Sequence, residues 1–205
     1  RCYHGSVDET LVILNEKGET VSRPGAIGPQ VDPSMTTRAV PFNDLAALEA
    51  AFAVGDVACL LIEPALINIG IVLPLDGYIA GIRELTRKYD VLLIVDETHT
   101  ICAGPGGCTK SWGIEPDFVV IGKTIGGGIP VGAYGMTAEI ARKLEQEMSG
   151  HDVDVSGVGG TLSGSALAMS AMRATLSHAL QENDFAKTIP LATRWTQGVQ
   201  NACDK

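Results

Sequence analysis

A chain of 205 residues, 45% hydrophobic and 19% charged, suits one large domain or one domain with pieces of others, can bury a sizeable core and argues against disorder. Its formal net charge of −9, without a basic stripe, repels phosphate backbones and argues against nucleic acid as a partner. No apolar run reaches the ~18 residues of a membrane span, no leader opens the chain, and five cysteines without a CxxC speak against a zinc site or disulfide framework, so no membrane, no metal and a cytoplasmic location are expected.

The opening Arg1-Cys2-Tyr3-His4-Gly5 has no initiator Met and reads like the interior of a domain, so the chain is expected to be a piece of a longer one. Residues 1–42 are turn-rich, with Pro24, Gly25, Gly28, Pro29, Pro33 and Pro41, and one short strand is expected at 11–14. Asn43 is a candidate cap for a helix to about residue 53, with Leu45, Leu48 and Phe52 at helical spacing. The apolar run 57–62, which includes Cys59 as a core residue, predicts a strand buried on both faces and closed by Glu63-Pro64. Residues 76–89 predict an amphipathic helix with Ile79, Ile82 and Leu85 on one side, and 91–95 a second buried strand ending at Asp96-Glu97.

A long Gly- and Cys-containing loop is expected over 98–112, then a third strand at 118–121 ending in Gly122-Lys123, and a break at Gly126-Gly127-Gly128. The spacing beyond predicts a strand at 131–136 and a helix at 138–148, with Thr137 a candidate cap. A polar glycine-rich stretch at 149–163 is followed by a helix at 165–181 and a helical tail from Asn183, broken by Pro190. This alternation predicts an α/β fold, a mostly parallel sheet with helices on both faces. Ligands of such sheets sit at the carboxyl ends of the strands, and Glu63, Asp96 and Lys123 stand at three of those ends, where one crevice could gather them.

Two chemistries use a lysine and a carboxylate so placed. The first is nucleotide binding, because the strand ending in Asp96 has the form of a magnesium-binding strand and Gly122-Lys123-Thr124 that of the end of a phosphate loop. It fails three times: position 117 is Asp where the loop needs Gly, Ile125-Gly126-Gly127-Gly128-Ile129-Pro130 cannot begin the helix that faces phosphate, and the carboxylate strand comes before the lysine. The second is Schiff-base chemistry. A lysine walled by apolar sequence is favoured as the neutral amine, which adds to an aldehyde, and a buried aspartate can hold a pyridine nitrogen protonated. Singly, a lysine in a Gly-rich turn is usually solvated and Asp-Glu after a strand is usually a cap; the pair together supports the second reading.

Five stretches, in one order, carry a resemblance. They are Tyr3-His4-Gly5; Ile62-Glu63-Pro64 with Asn68 five beyond the Glu; Leu92-Leu93-Ile94-Val95-Asp96-Glu97; Gly122-Lys123-Thr124-Ile125-Gly126-Gly127-Gly128-Ile129-Pro130-Val131-Gly132-Ala133; and Gly160-Thr161-Leu162-Ser163-Gly164. With 27 positions from Asp96 to Lys123, the set resembles the class III, fold-type I, pyridoxal-phosphate (PLP) dependent aminotransferases, the group that includes glutamate-1-semialdehyde aminomutase and the ω-amino acid transaminases. The resemblance implies that residues 1–182 are the central part of the large PLP-binding domain and 183–205 a helical segment leading toward a small carboxyl-terminal domain.

It also implies roles. Lys123 would form the Schiff base and shuttle a proton, and Asp96 would bind the pyridine nitrogen; these are the expected catalytic residues. Tyr3 would stack on the ring, Asn68 would lie near its phenolic oxygen, and Thr161 would reach the phosphate of a neighbouring subunit's cofactor, which implies a homodimer. His4, Glu63 and Thr98 complete the expected cofactor-binding set, His4 more as a structural residue, with Glu97 a supporting polar position. Thr98 departs from the family, which has Val or Ile against the ring; His99 fits a substrate loop or a surface loop equally. The implied activity moves an amino group between an amine or amino acid and a keto acid. The alternatives are an aminomutase of the glutamate-semialdehyde type and a non-catalytic fragment, since the family's phosphate loop and a terminal-domain arginine are not in this sequence.

Overall fold

The computed structural model describes residues 2–5, 7–27, 32–148 and 159–204. They form two compact units, Arg1–Asp96 with Ile114–Phe118, and Glu97–Gly113 with Val119–Lys205.

In the first unit a small hairpin pairs β1 (Val12–Leu14) with β2 (Thr20–Ser22), Ile13 opposite Val21. The strand expected at 11–14 is therefore half of a pair, closed by the Asn15 side chain, which accepts from the amides of Lys17 and Glu19 at 2.9 Å each. Helix α1 (Leu45–Phe52) is capped by Asp44, whose carboxylate accepts from Ala47 N at 2.9 Å, and not by Asn43. Asn43 is left-handed (φ 68°) and spends its amide on the 73–75 backbone, donating to Leu73 O and accepting from Leu75 N. Both residue types cap well; the left-handed turn moves the helix start by one.

Strand β3 (Cys59–Ile62) runs parallel to β4 (Leu92–Asp96), with Ile62 abreast of Val95. Burial on both faces fails at the beginning of β3, where Cys59 is exposed and not a core residue. Between them α2 (Tyr78–Lys88) starts after the left-handed Gly77. The core joins Leu48, Phe52, Ile62, Tyr78, Ile82, Val91, Leu93, Val95 and Ile114. A Cβ at Gly81 would overlap the end of the Leu45 side chain, which would have to shift to make room. Asp117 fastens the start of β5 (Phe118–Gly122) beside β4: its amide donates to Leu93 O at 2.9 Å, and its carboxylate accepts from Leu93 N at 2.7 Å and from Arg83 of α2 at 2.9 and 3.1 Å. Burial pushes that carboxyl up, but Arg83 and the Leu93 amide outweigh it and hold it below the usual range.

In the second unit β5 continues beside β6 (Gly132–Met136). The segment expected as plain loop over 98–112 holds a 3-10 turn, Thr100–Ala103, and a short helix α3, Gly107–Ser111. Helix α4 (Ala138–Met148) has its expected bounds, and Thr137 Oγ1 accepts from Ile140 N at 3.4 Å. Helix α5 (Ala166–His178) stops three residues short of expectation. Helix α6 (Glu182–Cys203) runs through Pro190, correcting the expected break: a proline removes one donor, and helical turns on both sides hold the rest. Residues 149–158 of the glycine-rich stretch lie outside the described residues. Among the described residues no helix is long and apolar enough to cross a membrane.

Candidate functional site

Parallel register sets the first group of candidate residues. Glu63 and Asp96 each follow the paired positions Ile62 and Val95, so two carboxylates stand abreast at the carboxyl ends of β3 and β4. Both are buried, at 2% and 7% exposure. The Tyr3-His4 dipeptide is tied to each in turn. Glu63 Oε1 accepts from Tyr3 N at 2.8 Å, and Asp96 Oδ2 lies 2.8 Å from His4 Nδ1. Burial alone would lower the imidazole's affinity for a proton; the hydrogen bond to Asp96 and a further one to Cys2 overcome that and raise its pKa to about 9. Among the described residues, His4 Nε2 and Glu63 Oε2 are buried and have no hydrogen-bond partner.

The Tyr3 ring stays 37% exposed. The Arg23 guanidinium lies 5.9 Å from its centroid, within cation–π range. Asn68 sits in an exposed turn bridged by Leu66 and Val72. Tyr3, His4, Glu63 and Asp96 are thus brought together.

The second unit carries Lys123, Thr98 and Thr161. Lys123 follows β5 in a left-handed conformation (φ 50°) and opens the 3-10 turn Lys123–Gly126. A non-glycine residue there stores roughly 1 kcal/mol or more of backbone strain. The apolar wall expected around the lysine is absent from its side chain, which is exposed; the turn buries Ile125 and Gly126 instead. Gly122 before it is buried against Thr98, whose methyl would lie 3.3 Å and hydroxyl 3.6 Å from a Cβ at that position. Thr124 Oγ1 accepts from Cys102 Sγ at 3.3 Å, so the 3-10 turn Thr100–Ala103 rests on the lysine turn. Thr161 is exposed in a turn.

Glu97 exceeds its expected supporting part. Its amide donates to Val120 O at 2.8 Å, and its carboxylate, 1% exposed, accepts from Cys108 N at 3.2 Å, from Thr109 N and from the Thr100 hydroxyl. A Cβ at Gly107 (φ 65°) would strike that carboxylate. One buried acid therefore folds the segment 97–109 beside the end of β5.

The chemistry of these groups fits a PLP ring. A buried carboxylate steadied by an imidazole is an acceptor for a ring N–H, and an aromatic side chain with an open face is a platform for a heteroaromatic plane. The orphaned Nε2 and Oε2 mark polar capacity that the chain itself leaves unused. Among the described residues no group of three or more His, Cys, Asp or Glu could hold a metal ion.

The fold is that of the fold-type I PLP enzymes. The model of the family "Aminotransferase class-III" matches residues 1–201, and the chain belongs to that family. It is similar to the glutamate-1-semialdehyde 2,1-aminomutases of Anaeromyxobacter sp. strain Fw109-5, at 41% identity over 85% of this chain and 40% of that protein, and of Heliobacterium modesticaldum, at 38% over 100% and 46%. The crystal structure of a glutamate-1-semialdehyde-aminomutase from Pseudomonas aeruginosa PAO1 superimposes with a TM-score of 0.94 at 45% identity, covering 99% of this chain and 46% of that one. An omega-transaminase from Sphaerobacter thermophilus matches at TM-score 0.70 and 31% identity, over 85% of this chain and 42% of its own. The chain therefore spans about half the length of the relatives it matches. Class III aminotransferases use PLP, and among the structural neighbours one is a transaminase with PLP bound.

Proposed function

We propose that the chain is the central part of a PLP-dependent aminotransferase, which moves an amino group between an amine or amino acid and a keto acid. The observation that carries the proposal is the pair of neighbouring strand-end carboxylates holding Tyr3-His4, in a chain of this family. Asp96 would receive the ring N–H, Tyr3 would lie along the ring, and Thr98 and Asn68 would border it. Thr161 would take the phosphate, in a homodimer from the neighbouring subunit. Lys123 would hold the group covalently through Nζ. When bound, the cofactor supplies an electron sink for the carbanion formed at the substrate carbon. Once the substrate amine has taken its place on the group, the released Lys123 amine would be the chain's own mobile base, accepting the proton from that carbon and returning it. Residues 1–182 would belong to the large domain and 183–205 would lead toward a small one. The five free thiols support a reducing compartment, the cytoplasm.

A second reading, the aminomutase, is favoured by the names of the relatives and by the TM-score of 0.94. Need for an added keto acid separates the two. The cofactor itself is tested by adding PLP, reducing with borohydride and mapping the labelled peptide. The expected label is on Lys123 and vanishes in Lys123→Ala; label spread over other lysines, or none, defeats the proposal.

A further inference from the structure

We infer that Glu63 is a positioning residue for the candidate site, acting on it through the backbone of Tyr3. The inference rests on the reading of Tyr3 and Asp96 as the ring's platform and anchor. A carboxylate at 2% exposure is costly to bury unless its oxygens are occupied. Glu63 meets that cost only in part: Oε1 accepts the Tyr3 amide at 2.8 Å, while Oε2 is buried with no partner among the described residues. An apolar residue continuing Ile62 would fill the same space without that cost, but would leave the Tyr3 amide without this acceptor.

The geometry gives the amide its importance. The contact joins positions 60 residues apart. The next side chain, His4, is fastened to Asp96 on the neighbouring strand end. Two successive residues are therefore pinned to two adjacent carboxylates, which sets where the Tyr3 Cα–Cβ bond leaves the backbone relative to Asp96. The Arg23 guanidinium lies over the ring, 5.9 Å from its centroid. The backbone is thus fixed while 37% of the residue remains exposed. A planar ligand that must meet the Tyr3 ring and the Asp96 carboxylate at once needs these two fixed with respect to each other, and Glu63 supplies one of the two backbone pins.

Two substitutions separate this role from a general contribution to stability. Glu63→Ala removes the acceptor; Glu63→Gln keeps an acceptor oxygen for Tyr3 N and removes the charge. Amide hydrogen exchange on the chain without cofactor is read first. In Glu63→Ala, segment 2–5 should exchange roughly tenfold faster while the amides of Leu93 and Val95 stay protected, as expected for loss of one hydrogen bond to a charged acceptor. Glu63→Gln should restore that protection to within about twofold. With PLP added, the affinity and the circular dichroism of the cofactor band should fall in Glu63→Ala by a similar factor and recover in Glu63→Gln. Unchanged protection of segment 2–5 in Glu63→Ala would overturn the inference. So would equal loss across β3 and β4, or a glutamine variant that protects segment 2–5 but fails to recover the cofactor signal. Lack of label on Lys123 in the parent chain would instead defeat the proposed function, with the exchange comparison still deciding whether Glu63 holds Tyr3.

Discussion

His4 is the residue in which burial and pairing are most opposed. Desolvation favours the neutral ring, yet the contact with Asp96, aided by Cys2, holds the proton up to about pH 9 against an ordinary value of 6.5. Because the folded value is the higher one, the folded state binds a proton that the unfolded chain has lost. The stabilisation is fully present below about pH 6.5, declines from there, and is gone above about pH 9. Its upper size is about 3 kcal/mol, from the shift at ~1.4 kcal/mol for each pH unit. Denaturant unfolding between pH 6 and 9.5 should show this downward slope in the parent chain, and His4→Gln should flatten it; a slope that survives the substitution assigns the effect elsewhere. At this scale the first-unit site was legible because each member lies in a short ordered motif, Tyr3-His4, Glu63-Pro64 and Asp96-Glu97. The exposure of Lys123 was not, since a left-handed turn chooses which neighbour is buried and periodicity carries no sign of it.

Elements with a long apolar pattern were read correctly, and their ends less so. Helices α2 and α4 and strands β4 and β5 lie where their spacing put them, within two residues. The errors arise where local chemistry outweighs pattern. Asn43 and Asp44 are both good caps, and only the left-handed turn at Asn43 decides between them. Strand β2 has three residues, Thr20–Ser22, too few to alternate visibly. The helical turns inside 97–113 are built by the buried Glu97 carboxylate, a contact spanning twelve positions to Thr109 that no local propensity registers. Pro190 does not end the helix, because one missing donor is outweighed by the turns on either side. Within α6 its missing N–H leaves the Ala186 carbonyl without its usual donor, while the helix continues to Cys203. Pro190→Ala should therefore stabilise α6, by about 1–3 kcal/mol. Helical circular dichroism and the melting temperature should both rise; a fall would mean that the proline ring itself contributes to the stability of α6.

Across the whole molecule, burial is distributed unevenly, and that sets where the chain opens. In the first unit α2 buries Tyr78, Ile82 and Thr86, and β4 buries Leu93, Val95 and Asp96. In the second, α4 and α5 bury none of their described residues and α6 buries Phe185 alone, while Leu191, Trp195 and Val199 are exposed on α6. Hydrogen bonds in a helix protect its amides only as long as the helix stays packed, so local opening free energy follows buried apolar contact. Amides of β4 and α2 should thus exchange only through the largest openings of the chain, and those of α5 and α6 through small ones. Roughly 1.5–3 kcal/mol for each fully buried large side chain makes the difference several kcal/mol, or a hundredfold and more in exchange rate. Peptide-resolved exchange at pH 7 measures both sets in one experiment. Protection of α6 equal to that of β4 would show that its apolar face is covered in solution, for instance by association of chains, and the contrast should then reappear on dilution.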